Sequence, residues 1–263
     1  MNEPTLFEPR IVAPDTTSIN AYFPLPGLGI LPINAFLIKA QQPVLVDTGL
    51  ASMSEQFRDQ LYKLIEPADL KWIWITHADP DHVGNLKDIL NDAPNARIVT
   101  SYMGMGKMGI LGIPLDRVYL INPGQHLDIG DRKLVAVSPP TYDAPETCGL
   151  FDTKHHTLFS ADSFGALMQE PAETAQAINA GALREGCISW ATIDAPWLNK
   201  IDQARFGDSL SDISRLNATT ILSSHLPPAR GINNELLSYL KDATHAPRFV
   251  GPDQAALEKM MAA

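Results

Sequence analysis

Apolar positions along this chain fall into short strand-like runs in its first half and helical repeats in its last third. Asn34 to Lys39 and Val44 to Val46 are aliphatic runs on either side of a Gln-Gln-Pro turn, which predicts a β-hairpin. Ser52 and Glu55 have the spacing of a capping box, and Met53, Phe57, Leu61 and Leu64 then recur at a helical period until Pro67, so a helix is predicted there. Trp72 to Ile75 is apolar, aromatic-rich and too short for a helix, which predicts a buried strand. Val83 to Leu90 reads as a helix with Asp81 or His82 near its start. Ile98 to Thr100, Val118 to Ile121, Leu134 to Val137 and Gly149 to Ser160 read as strands, the last folded about Asp152 to His155. Further on, Ile201, Phe206, Leu210, Ile213 and Leu216 keep one helix face apolar, and Ile221-Leu222 gives a short strand leading to His225. Strands alternating with helices imply helices packed outside β-sheet, an α/β layered domain.

The hairpin ending Val-Leu-Val-Asp47-Thr-Gly is echoed by the one ending Leu-Phe-Ser-Ala-Asp162-Ser. Each delivers an aspartate at the C-terminal end of a strand.

Composition narrows the setting. The 263 residues contain no Gly/Ser run, no block of like charge and no low-complexity segment, so residues 1–263 are expected to form one domain. The N-terminal segment lacks a basic and apolar leader pattern, and prolines 24, 26 and 32 break the longest apolar stretch. A cytoplasmic protein without membrane partners is the resulting expectation. A net charge of −10 repels a phosphate backbone and argues against nucleic-acid partners. Cys148 and Cys187 form no CxxC pair, which removes thiolate zinc and dithiol redox chemistry; a disulfide between them is the minor alternative.

The chemistry is concentrated in one place. Four of the six residues from His77 to His82 can ligate a metal: His77, Asp79, Asp81 and His82. In an extended loop, residues two apart project to the same side, so His77 and Asp79 can meet at one ion while Asp81 and His82 turn to a second. Helix capping by Asp81 explains one of these residues and leaves both histidines unexplained. His155 and His156 are expected in a solvated hairpin turn, and His126 and His245 on the surface.

Thr76-His77-Ala-Asp79-Pro-Asp81-His82-Val-Gly84 resembles the HxHxDHxG signature of the metallo-β-lactamase superfamily, with an acid in place of the second histidine. An acid there is typical of the flavodiiron proteins and related oxygen-binding diiron proteins. Val46-Asp47-Thr-Gly49 is similar to the family's early strand and turn, Leu158 to Gly165 to the segment that gives its bridging carboxylate, and Ser223-Ser224-His225 to its final histidine. The resemblance implies a single four-layer αββα sandwich with metals at the sheet edges. Its remaining histidine falls on Asp143, which either ligates directly or faces the site from a step away. The ligand set so implied is His77, Asp79 and Asp143 for one metal and Asp81, His82 and His225 for the other, with Asp162 between them and Asp47 supporting from beneath. Tyr142 beside Asp143 either hydrogen-bonds a ligand at the metals or packs in the core, and Trp190 and Trp197 either line an entrance or pack.

Two functions are compatible with that set. Four carboxylates and three imidazoles suit iron, or manganese, better than zinc, which fits a non-haem diiron protein that binds or reduces dioxygen or nitric oxide. No flavodoxin-like segment or FMN site is evident, so a separate electron-donor protein is expected. The alternative is a hydrolase of an ester, lactone or phosphodiester that uses a metal-bridging water, with Asp79 as general base.

Overall fold

In the computed structural model, which describes residues 3–262, fourteen strands form two sheets faced by helices on both outer sides. The first sheet contains β1 (Thr5–Leu6), β2 (Arg10–Ala13), β3 (Thr16–Leu25), β4 (Gly29–Ile38) and β5 (Val44–Val46). After helix α1 (Ser54–Leu64) it continues with β6 (Trp72–Trp74), and after α2 (Pro80–Val83) and α3 (Leu86–Asp92) with β7 (Arg97–Thr100). Helix α4 (Tyr102–Ile110) precedes its edge strand β8 (Val118–Leu120). The second sheet holds β9 (His126–Asp128), β10 (Lys133–Val137), β11 (Gly149–Asp152) and β12 (Thr157–Phe159). It is completed, after α5 (Ala180–Asp194) and α6 (Gln203–Arg215), by β13 (Thr220–Leu222) and β14 (Ala229–Arg230). Helices α7 (Asn233–Ala243) and α8 (Gln254–Ala262) close the described chain.

Side-chain alternation sorts the core into three layers. Phe36, Ile38, Val44, Val46, Trp74 and Val99 of the first sheet meet Leu134, Ala136, Leu150, Phe159 and Leu222 of the second. One position along each strand the direction reverses: Leu37, Leu45, Ile73 and Ile98 face Phe57 and Leu61 of α1 and Leu86, Ile89 and Leu90 of α3. On the other outer face, Leu158 and Ile221 pack under Leu183, Cys187, Phe206, Leu210 and Leu236 of α5, α6 and α7. Helix–sheet–sheet–helix is the four-layer αββα sandwich.

The sequence echo is also a topological one. Strands β3 to β6 pair antiparallel, antiparallel, parallel, and β10 to β13 repeat that order. The last residue of β6, β12 and β13 is followed three positions later by His77, Asp162 and His225 respectively. The carboxyl ends of parallel-paired strands therefore deliver three of the candidate residues to one edge, where α/β sheets characteristically place their ligands.

Some local expectations are corrected. The capping box is not formed: a 3-10 turn over Ala51–Met53 leads into α1, whose N-cap is Met53 and has no side-chain cap. The expected helix from Val83 to Leu90 is broken into α2 and α3 at Gly84-Asn85. A Cβ on Gly84 would lie 2.3 Å from the carbonyl of Gly49, so the two turns touch backbone to backbone and only glycine fits. Both cysteines are free and buried.

Candidate metal centre

Each histidine of the cluster is oriented from behind. Nδ1 of His82 lies 2.9 Å from Oδ2 of Asp47, whose carboxylate also accepts from the backbone N and the hydroxyl of Thr76 at 2.9 and 2.8 Å. Thr76 Oγ1 in turn lies 3.1 Å from Nδ1 of His77, and Pro32 O lies 2.7 Å from Nδ1 of His225. These acceptors hold the proton on Nδ1, so all three Nε2 atoms turn inward. All three histidines are buried.

Asp162 lies between them. Its Oδ1 is 3.2 Å from Nε2 of both His82 and His225, while Oδ2 is 3.5 Å from Nε2 of His77. On one side, donor atoms of His77, Asp79 and Asp143 lie within 4.8 Å of one another; on the other, so do those of Asp81, His82 and His225. Asp81 Oδ2 approaches His82 and His225 Nε2 at 3.4 and 3.6 Å. All seven sequence-predicted ligand candidates thus converge in two adjacent groups, with Asp162 between them, Asp143 the exposed member and Asp47 beneath.

The backbone is bent to achieve this. Asp47 and Ala161, beside the histidine loop and Asp162, adopt left-handed φ values of 57° and 51°, as does Phe164 at 66°. Such conformations cost about 1 to 3 kcal/mol each and persist where surrounding structure enforces them. Here Ser224 N and Ser223 Oγ both donate to Ala161 O, locking the Asp162 and His225 turns together. Asn34 of β4 spans the same turn, with Nδ2 donating to Ser223 O and Leu226 O at 2.8 Å each, and Asn20 Nδ2 donating in turn to Asn34 Oδ1. Trp190 donates from Nε1 to Asp162 O and stacks edge-on against His225. A Cβ on Gly165 would lie 2.5 Å from the Trp190 ring, which explains a glycine there.

Electrostatics show what the arrangement requires. Burial opposes protonation of His82 and His225, but Asp81, Asp162 and, for His82, Asp47 outweigh it; His82 is raised well above the usual range and His225 to about 9. Burial likewise disfavours the ionised form of Asp162, yet the three histidines hold it well below an ordinary carboxylate. Nε2 of His77, Nε2 of His82 and Oδ1 of Asp162 are buried without a hydrogen-bond partner. Inward lone pairs on buried atoms, surrounded by carboxylates, are the donor set of a cation site, and the residues fit two divalent ions.

Three contributors were not singled out from the sequence. Asn34 lies within a predicted strand; its signal is an amide within the apolar run of β4. Glu146 is buried, paired with Lys107 Nζ at 2.6 Å, and accepts weakly from the N–H of Ala78 between His77 and Asp79. Asp194, at the end of α5, has a carboxylate within 4.8 Å of those of Asp143 and Asp162. Burial, then the charges of Asp162 and Asp143, push it well above the usual carboxylate range.

The other candidates separate cleanly. Tyr142 is not in the core: it is 40% exposed, its ring 5.5 Å from that of Trp197, and both line a cleft of about 690 Å³ that the loop carrying Asp143 borders on one side. Trp190 packs under the site instead. His155 is less solvated than expected, because Asp15 lies 3.0 Å from its Nε2, whereas His126, His156 and His245 are exposed. Among the described residues no helix is long and apolar enough to cross a membrane.

An αββα sandwich with a His/Asp cluster at its strand ends defines a protein of the metallo-β-lactamase fold. The profile of the family described as ODP family beta lactamase matches residues 31–190, more than half of the chain, and the chain belongs to that family. A diflavin flavoprotein of Thermosynechococcus vestitus is 36% identical over 135 residues, covering 51% of this chain and 24% of that protein. The anaerobic nitric oxide reductase flavorubredoxin of Klebsiella pneumoniae is 32% identical over 134 residues, 50% of this chain and 28% of that protein. The matches thus span about a quarter of these relatives' length. In structure, the rubredoxin oxygen:oxidoreductase of Desulfovibrio gigas superimposes with a TM-score of 0.77 at 16% identity, covering 90% of this chain and 61% of that one.

Proposed function

We propose that this chain holds a non-haem diiron centre that binds or reduces dioxygen or nitric oxide. His77, Asp79 and Asp143 would hold one iron, Asp81, His82 and His225 the other, and Asp162 would bridge them. The observation that carries this reading is the convergence of three inward Nε2 atoms on the two oxygens of Asp162, with the carboxylates of Asp79 and Asp143 grouped at His77 and that of Asp81 at His82 and His225. With an acid at Asp79 the set is oxygen-rich, which suits iron or manganese better than zinc. When bound, the irons would supply electrons and Lewis acidity to the gas. Asp47, Thr76 and Pro32 O fix the imidazole tautomers, and Trp190 and Asn34 hold the turns that carry Asp162 and His225. The names of the Klebsiella and Desulfovibrio proteins support nitric oxide and dioxygen as the ligands to test first. The electrons would come from a separate donor protein, with residues 1–263 acting as one metallo-β-lactamase-like domain.

Elemental analysis of the protein as isolated, with an absorption spectrum before and after anaerobic reduction, tests the proposal. About two irons per chain and a visible band that bleaches on reduction are expected. Stoichiometric zinc with a featureless spectrum would overturn it and direct attention to hydrolysis of esters, lactones or phosphodiesters.

A further inference from the structure

Asp194 occupies a position with no structural justification of its own. It is 5% exposed, and its Oδ2 has no hydrogen-bond partner. It is the last residue of α5, where the negative end of the helix dipole disfavours a carboxylate. Its nearest charged neighbours include two more carboxylates, Asp143 and Asp162. Burial, like charges and the helix end all act against it, and a cation is what would reverse all three.

The orientation of α5 is also fixed relative to the cluster. Trp190, one turn before Asp194 on the same helix, donates to the backbone O of Asp162 at 3.0 Å. That contact aims the last turn of α5 at the side of Asp162 where Asp143 lies. Asp143 is a short side chain and an exposed one, in a place the family resemblance assigns to the longer histidine.

Building on the dinuclear reading above, we propose that Asp194 is an eighth donor of the centre, binding the ion held by His77, Asp79 and Asp143. Two short carboxylates from opposite elements, the Pro139 to Pro145 loop and the end of α5, then close around an ion that one histidine would otherwise cap. The site becomes five carboxylates and three imidazoles, harder and more anionic, and selects a hard or higher-charge ion at that position.

The test uses the full chain, stripped of metal and titrated anaerobically with ferrous iron against a chromophoric chelator, for the wild type, D194N, D194A and D194E. The wild type should take two irons. D194N and D194A should weaken one of them at least tenfold and leave the other unchanged, and D194E should recover most of the loss. Melting curves separate ligation from packing: D194N should melt higher than wild type without metal, because a buried repulsive acid is gone, and lower than wild type with iron. A purely structural carboxylate would shift both curves in the same direction, which would overturn the proposal. Two irons bound by D194N and D194A with wild-type affinity would overturn it while leaving the dinuclear reading intact. A wild type that takes up no iron would overturn both.

Discussion

The carboxylate of Asp47 joins His82 to Thr76: Oδ2 accepts from Nδ1 of His82 at 2.9 Å, and Oδ1 and Oδ2 accept from the N–H and hydroxyl of Thr76. One buried carboxyl group therefore sets the tautomer of one imidazole and, through Thr76 Oγ1, of a second, His77. Losing such a support typically costs about 10- to 100-fold in metal affinity. Asp47→Ala is expected to fall in that range by chelator competition while still folding. Wild-type affinity in this variant would mean that the histidines are held by packing alone.

Metal removal should be visible as lost stability. An ion present at about a thousand times its Kd stabilises the folded chain by about 4 kcal/mol. For a chain of this size each kcal/mol moves Tm by about 2 to 4 °C. Chelation verified by elemental analysis should therefore lower Tm by about 8 to 16 °C, and re-addition of ferrous iron should restore it. An unchanged melting curve after complete removal would sink the metal-site reading.

The metal-free protein should also acquire a pH dependence that the loaded protein lacks. Despite burial, Asp162 and Asp81 raise His225 to about 9, against about 6.5 for an unfolded histidine. A pKa raised on folding gives stability that is complete below about 6.5 and disappears as pH climbs toward 9. His82 is shifted in the same direction, chiefly by Asp81 and Asp162 working against burial. Metal held as proposed would replace these protons on Nε2 and remove the dependence. Tm of stripped protein should thus decline between pH 6.5 and 9 while that of loaded protein stays nearly level; parallel profiles would refute the proton-for-metal exchange.

What the sequence made legible follows from spacing. His77, Asp79, Asp81 and His82 stand within six residues, too dense a set of donors for chance, and the hairpin echo around Asp47 and Asp162 corresponds to a repeated strand order. Asp194 was hidden because a lone acid near the end of an amphipathic helix looks solvated, and only the crossing of α5 over Asp162 brings it to Asp143. Asn34 was hidden because an amide in an apolar strand has no periodicity. β3 was missed for a related reason: Thr16 to Tyr22 is buried on both faces, so no alternation marks it. In α4, Gly104, Gly106 and Gly109 suppress helix propensity, and the Ser101 hydroxyl accepting from Gly104 N supplies the start instead.

The buried amide of Asn34 gives a prediction that separates scaffold from chemistry. Its Nδ2 satisfies two carbonyls, Ser223 O and Leu226 O, that flank His225, and its own N–H donates to Ser224 O. Asn34→Leu keeps the γ-branched shape but leaves both carbonyls buried without a donor, at about 1 to 3 kcal/mol each. The backbone bond from residue 34 survives, so the sheet should still form and the damage should be confined to the His225 turn. The expected result is a Tm about 5 to 15 °C lower, with weakened binding of the iron proposed at His225 and little change at the one proposed at His77. A Tm within 2 °C of wild type and undisturbed iron binding would show that Ser223 and Ser224, through Ala161, hold the turn without help from β4.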